Sequence, residues 1–413
     1  VVARVVGLKV WVEVSEERLA GNLRAVREAA GAETEVLAVV KANAYGHGLE
    51  RCSVGLARAR ARWFGVTCVS EGARVRAALA GLGACDSRGG GVGVEILVMC
   101  GFLPEDVAAM VEHGLTPVVW TEEQVGWLDG CAGMRVHVEV DTGMGRQGVR
   151  PGVELEGMLD AQAGAGLVVD GVFTHLCESE VAGSALTREQ ERRFEGAVGQ
   201  VRARGLAPGW VHAGNSSFVD NPVGDDPAHG SPWLVELAKS VGARVMVRSG
   251  LALYGYCLPI ELGLLAGGDA GAARVRDALR PVMTWKTRVL AVRELNEGET
   301  VGYGATFVAP GAMRVALLPV GYADGLRREL SGSNVGSDAR EGGWVMVRGR
   351  DGVARRAGIV GRVSMNLTVV DVTGAGGGVG DEVVLLGDGV TAEDHARLAG
   401  TIPYEILCGV RER

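Results

Sequence analysis

The chain has 413 residues, a formal net charge of −8 and 47% hydrophobic residues, enough for a barrel plus a smaller domain with a substantial core. The acidic balance argues against a nucleic-acid partner. No run of eighteen apolar residues occurs, so no membrane span is expected. The eight cysteines form no CxxC pair, and those inside apolar runs, such as Cys68 and Cys100, read as buried and reduced. That points to a cytoplasmic or other soluble, reducing compartment. The sequence opens Val-Val rather than Met, which leaves room for a removed leader.

In chain order, short apolar runs alternate with amphipathic stretches. The runs are 36–40, 63–68, 95–99, 117–120, 135–140, 168–173, 210–213 and 245–247. Between them lie helix-like segments, among them 15–30, 69–82, 105–113, 122–131, 153–162, 186–204 and 234–241. Eight strand–helix units predict a parallel (β/α)8 barrel over 15–280. The rival, a doubly wound open sheet, lacks its own mark, because no GxGxxG follows the first strand. From about Pro281 the runs 283–289, 313–318, 344–347, 358–363, 367–372 and 382–386 are separated by glycine turns, and helices nearly vanish. This predicts a mostly-β domain over 281–413, with 1–14 assigned to it. The glycine-rich stretches 87–93, 267–271, 332–343 and 374–380 read as surface loops.

Chemistry-bearing residues fall at or just after the ends of the barrel runs. Lys41 follows Ala38-Val39-Val40, ahead of Ala42-Asn43-Ala44-Tyr45-Gly46-His47-Gly48. An amine at the end of a buried strand is costly unless the fold uses it, and desolvation favours its neutral, nucleophilic form. Period-two alternation in Arg135–Asp141 puts His137, Glu139 and Asp141 on one face. Glu139 then needs a cation, for which Arg146 of Asp141-Thr142-Gly143-Met144-Gly145-Arg146 is the local candidate. His175 ends Val172-Phe173-Thr174-His175, Gly214-Asn215-Ser216 offers a hydroxyl and backbone N–H groups suited to a dianion, and Arg248 ends its own run. No HExxH occurs and the seven histidines are scattered, so no metal is expected.

The ordered set of strings resembles the alanine racemase family, whose members hold pyridoxal 5'-phosphate in a barrel. On that resemblance Lys41 carries the cofactor and is one catalytic base, and Tyr45 contacts the phosphate. Arg146 contacts the cofactor's phenolic oxygen and the substrate carboxylate, and His175 packs against the pyridine ring. Asn215 and Ser216 form part of the phosphate turn. Arg248-Ser249-Gly250-Leu251 is similar to the family's R-P-G-I string, with Arg248 facing the pyridine nitrogen and the Gly250 and Leu251 N–H groups facing the phosphate. Tyr303 of Val301-Gly302-Tyr303-Gly304 resembles the second base, supplied from the partner in a homodimer. Tyr322 resembles an entryway residue, Met365 the residue whose N–H meets the substrate carboxylate, and Tyr404 a phosphate and gate residue.

Three departures stand out. Glu139 takes the place of a lysine, often carbamylated, that props the arginine in many members. Ser249 replaces Pro, and Asn366 replaces Asp. The implied activity is interconversion of L- and D-alanine, with a serine or broad-specificity racemase as the alternative. A related barrel-type decarboxylase is disfavoured by Arg248 and the Tyr303 string. A cofactor-binding barrel without catalysis is disfavoured by the long C-terminal half, and a binding-only paralogue by Lys41 and Tyr303.

Overall fold

The computed structural model describes residues 9–82, 93–221, 230–263, 273–337, 339–349 and 351–412. Two compact units divide the chain. One takes Glu16–Ala44 and Gly48–Arg280; the other takes Val1–Ser15, Tyr45–His47 and Pro281–Arg413.

The larger unit is a closed barrel of eight strands. These are β1 (Thr34–Val39), β2 (Trp63–Val66), β3 (Glu95–Val98), β4 (Thr116–Val119), β5 (Arg135–Val140), β6 (Val168–Thr174), β7 (Trp210–His212) and β8 (Arg244–Ser249). Each pairs in parallel with its neighbour, and β8 closes on β1, with Arg248 opposite Leu37 and Ser249 opposite Ala38. Every strand expected in the barrel is present. They were readable as apolar runs because parallel strands are buried on both faces. Helices such as Val69–Ala80, Val153–Gly164 and Ala185–Ala203 join them, and helix Glu16–Ala30 leads into β1. Helix Leu49–Arg58, directly after the lysine string, was not singled out in the sequence; it buries Leu49, Cys52 and Leu56.

The register between β5 and β6 shifts between Val136 and His137 and brings His137 opposite Gly171. A Cβ on residue 171 would lie 2.4 Å from His137 Nδ1, so only glycine leaves room for that ring.

The other unit carries an antiparallel sheet in the order Val10–Val14, Met283–Arg288, Glu382–Leu386, Trp344–Arg348, Ala354–Gly358. A three-stranded sheet orders Ala291–Leu295, Met313–Leu318 and Thr368–Asp371. A hairpin of Thr300–Val301 and Phe307–Val308 carries Tyr303 on its loop. Several sequence expectations need correction here. The run 358–363 is the end of strand Ala354–Gly358 followed by isolated bridges, and charged outward-facing residues hid both that strand and Ala291–Leu295. Helices do not vanish, because Ala392–Ala399 and Pro403–Gly409 form. Gly332 is buried rather than part of a surface loop. Glycine-rich stretch 267–271 and most of 87–93 lie outside the described residues, as does Leu8. Cys68 and Cys100 are exposed, because each follows a barrel strand instead of lying inside it. Among the described residues no helix is long and apolar enough to cross a membrane.

Asn22, 1% exposed on the first barrel helix, ties the loops that close the barrel. Its amide donates to the carbonyls of Leu253 (3.0 Å) and Arg280 (2.9 Å), and its Oδ1 accepts the Arg280 N–H at 2.9 Å. Asn22→Leu strands the buried Leu253 carbonyl and leaves the Arg280 backbone, which is only partly buried, to find water, so it should destabilise the barrel by about 1–3 kcal/mol. Urea unfolding of the variant checks this; a midpoint equal to the wild type would mean the three bonds contribute nothing net.

Candidate active site

Lys41 follows β1 directly, and the chain then turns left-handed. Ala42, Asn43, Ala44 and Tyr45 have φ of 54°, 56°, 55° and 52°. Non-glycine residues in this conformation cost about 1–2 kcal/mol each, so the turn persists only because its surroundings hold it. Asn43 does much of that holding. Its carbonyl accepts the Gly48 N–H at 2.9 Å, its Oδ1 accepts the Leu49 N–H at 3.0 Å, and its own N–H donates to Glu71 at 3.3 Å. The other Glu71 oxygen accepts the Thr67 N–H at 2.9 Å, tying the turn to the end of β2.

The buried guanidinium of Arg248, 5% exposed, is the centre of the barrel's polar interior. Nη2 donates to the Thr174 carbonyl at 2.8 Å and to His175 Nδ1 at 3.1 Å. Nη1 lies 3.1 Å from His212 Nδ1, and the group stands 4.8 Å from the centre of the Phe173 ring. Burial, with the Arg146 charge nearby, pulls Arg248 down to about 10 while Glu139 opposes the fall, so it remains a cation at neutral pH. Burial also pushes His175 down to about 3, helped by the charges of Arg248, Arg146 and Lys41. His175 is therefore neutral in the working range. The same interactions place Lys41, Arg146, His175 and Arg248 close enough to feel one another at the C-terminal end of the barrel. Cys100, exposed rather than buried in its run, shares that neighbourhood with Lys41 and Arg146.

The expected pairing of Glu139 with Arg146 is corrected. The loop after β5 folds back so that Val149 bridges Val140, which puts Gln147 beside Glu139. Gln147 Nε2 donates to Glu139 and to the Met99 carbonyl at 2.9 Å. Glu139 is 3% exposed, and burial raises its carboxyl above the ordinary value despite Gln147, Arg248 and Arg146. Arg146 is exposed and acts on Glu139 only through space. An uncharged partner satisfies an oxygen without neutralising the charge, which a loop reversal made possible and sequence spacing could not show.

After β7, Asn215 caps helix Ser216–Asp220 by accepting the Phe218 N–H at 3.1 Å. Ser216 Oγ is buried and accepts the N–H groups of Gly250 (3.1 Å) and Ala252 (3.0 Å). This draws the turn after β8 to the turn after β7, with the Leu251–Tyr254 3₁₀ turn starting there.

In the other unit, Tyr45 and Tyr404 stand with ring centres 5.9 Å apart, and burial pushes the Tyr45 phenol well above its ordinary value. Gly46 approaches so closely that a Cβ would lie 2.2 Å from the Leu407 carbonyl oxygen, and its φ is +80°. Only glycine fits there. Tyr322 is exposed on a cleft of about 610 Å³ that also includes Arg327, Glu405 and Cys408. Met365 is exposed, and its carbonyl accepts the Ala323 N–H at 3.0 Å, which fixes its loop against the Tyr322 turn. Tyr303 is 72% exposed on its hairpin. Among the described residues no group of three or more His, Cys, Asp or Glu could hold a metal ion.

Residues 14–257 match the family model of the alanine racemase N-terminal domain, and 282–413 that of the alanine racemase C-terminal domain. An alanine racemase of Symbiobacterium thermophilum is 35% identical, over 98% of this chain and 95% of the relative. One from Cutibacterium acnes is 34% identical, over 96% and 94%. The solved alanine racemase of Streptomyces coelicolor A3(2) has a TM-score of 0.77 at 31% identity, over 97% of this chain and 95% of that one. A barrel with a β domain and a lysine-bearing strand end thus has close relatives of one kind. The chain belongs to the alanine racemase family.

Burial lowers His137 and His212 as well as His175. In the unfolded chain these rings take up protons below about 6.5, whereas in the folded chain His137 does so only at lower pH and His175 and His212 only well below that value. The unfolded state therefore binds more protons in this window, and stability should fall as pH drops from 6.5 to 5, by up to about 1.4 kcal/mol per pH unit per histidine. Urea midpoints across pH 5–8 check this; a midpoint flat or rising toward pH 5 would contradict it.

Proposed function

We propose that the chain is a pyridoxal-phosphate-dependent alanine racemase in which Lys41 and Tyr303 exchange the substrate's α-proton. The observation that carries the reading is the donor set at one end of the barrel: a lysine on a strained strand-end turn beside a buried, permanently charged guanidinium. The residues suit the cofactor chemically. Lys41 is a primary amine, Arg248 a donor without a proton to give up, and the Asn215–Ser216 and Gly250–Leu251 turns are drawn together by the Gly250 and Ala252 N–H groups donating to Ser216 Oγ. Pyridoxal phosphate, when bound, supplies the electron sink that makes an amino acid's α-proton removable.

The chain's own groups do the rest. Lys41 Nζ moves the proton on the D side of the α-carbon and the Tyr303 hydroxyl on the L side. Arg248 would hold the pyridine nitrogen by donating a hydrogen bond without protonating it, which would disfavour transamination. His175, held neutral, accepts from Arg248 and would lie against the pyridine ring. Arg146 and the Met365 N–H bind the substrate carboxylate, while Tyr322 and Tyr404 guard the entry and Tyr45 and Tyr404 reach the phosphate. The barrel, 15–280, is the cofactor domain, and 1–14 with 281–413 form the domain that brings Tyr303. That side chain stands exposed on a hairpin, as a residue offered to a second subunit would, and the active species is a homodimer.

Purified protein given cofactor and L-alanine or, separately, L-serine, with product chirality read by chiral chromatography, tests the reading. D-alanine formed much faster than D-serine is the expected result; comparable D-serine would make the enzyme a broad-specificity racemase, and neither product would refute the proposal. Tyr303→Phe should slow proton removal from L-alanine by about 10²–10⁴-fold and keep the visible absorbance of the bound cofactor. Loss of that absorbance with the activity would assign Tyr303 to cofactor binding instead. Because Glu139 is already a carboxylate, the rate should be the same in degassed buffer and with added bicarbonate. Recovery on adding bicarbonate would show a carbamylated lysine elsewhere doing this work.

A further inference from the structure

Behind Arg248 runs a line of buried rings whose hydrogen-bond direction is set from both of its ends. A guanidinium can only donate. Arg248 Nη1 at 3.1 Å from His212 Nδ1 therefore makes that nitrogen an acceptor. His212 is fully buried and neutral, so its single proton sits on Nε2. Nε2 lies 2.8 Å from His137 Nδ1 and donates to it. His137, also fully buried, must then carry its proton on Nε2, which faces Asp170 Oδ2 at 3.8 Å. The opposite set of tautomers would press the Arg248 N–H against the His212 Nδ1–H, donor against donor.

We infer that Asp170, on β6 at the end of the barrel away from Lys41, is a positioning residue for Arg248. Its carboxylate selects the His137 tautomer, His137 selects that of His212, and His212 thereby presents a lone pair to the guanidinium. His137 Nε2 has no hydrogen-bond partner within normal reach among the described residues, so the Asp170 carboxylate is the group its N–H faces. Burial pushes Asp170 up, but His137 and the charges of Arg135 and Arg244 more than offset this and keep it an anion.

The surroundings fit a built relay. Gly171 leaves the space that the His137 ring fills. Trp63 lies 5.5 Å from the His137 ring centre and Phe173 stacks on His212 at 4.5 Å, walling the line off from water. In such a setting a donor–donor contact has no solvent to relieve it.

The effect on catalysis rests on the role proposed above for Arg248; the tautomers do not. Holoenzyme with ¹⁵N-histidine is examined by long-range ¹H–¹⁵N correlation, which reports which ring nitrogen carries the proton. The wild type should show His137 and His212 both protonated on Nε2. A His212 protonated on Nδ1 would overturn the inference outright, whatever the variants do. Asp170→Leu should lose the single His137 tautomer and lower kcat for L-alanine about 10-fold, the scale of losing an outer carboxylate behind a histidine, with KM within about two-fold. Asp170→Glu should restore both. Wild-type tautomers or wild-type kcat in Asp170→Leu would overturn the positioning role. If the wild type racemises nothing while its tautomers are as stated, the reading of the function fails and the relay stands.

Discussion

A full positive charge buried in a barrel has to be solvated by the barrel itself, and Arg248 sets that requirement here. Leaving a guanidinium unpartnered in the interior would cost several kcal/mol. The structure meets the demand with neutral acceptors: one carbonyl and two imidazoles kept uncharged by their own burial. A carboxylate in contact would have stabilised the charge more strongly. It would also have spent the charge locally. Neutral partners leave Arg248 a free cation facing the open end of the barrel, and the same positive field is part of what holds His175 neutral. The demand spreads outward from there, because each imidazole that accepts on one nitrogen must place its proton on the other.

Lys41 illustrates a different constraint. Four successive non-glycine residues in the left-handed region are an expensive local conformation, so their cost must be met elsewhere. Asn43 and Glu71 supply hydrogen bonds that a right-handed turn would not align in the same way. The turn sends the chain from the end of β1 into helix Leu49–Arg58 within a few residues and leaves the amine at the strand's end. Backbone strain of this kind is tolerated when rigid neighbours over-determine it, and here the neighbours are the ends of β1 and β2.

How much of this was legible in the sequence follows from which interactions are local. The eight barrel strands could be read because burial on both faces turns each into an apolar run. Strands Ala291–Leu295 and Ala354–Gly358 could not, since each carries charges on exposed positions that mask a period of two. The lysine, arginine and tyrosine strings were recognisable as contiguous segments. Gln147 was not, because its place beside Glu139 depends on a loop folding back onto its own strand. Nor was the His137–His212 contact, which joins residues 75 apart across β6 and depends on the register shift at His137.

Glu139 brings these threads together. A carboxylate at this depth is raised by burial, and the local cation that would be its obvious counter-ion stands exposed instead. A hydrogen bond from a neutral amide is the compromise: it satisfies an acceptor while leaving Arg146 unspent for an anionic ligand. Arg248 follows the same logic with neutral imidazoles. Both arrangements leave their cations free of direct carboxylate partners, so neither charge is spent inside the protein. Had Arg146 been locked in a contact ion pair, an incoming anion would have had to displace a protein carboxylate before it could bind.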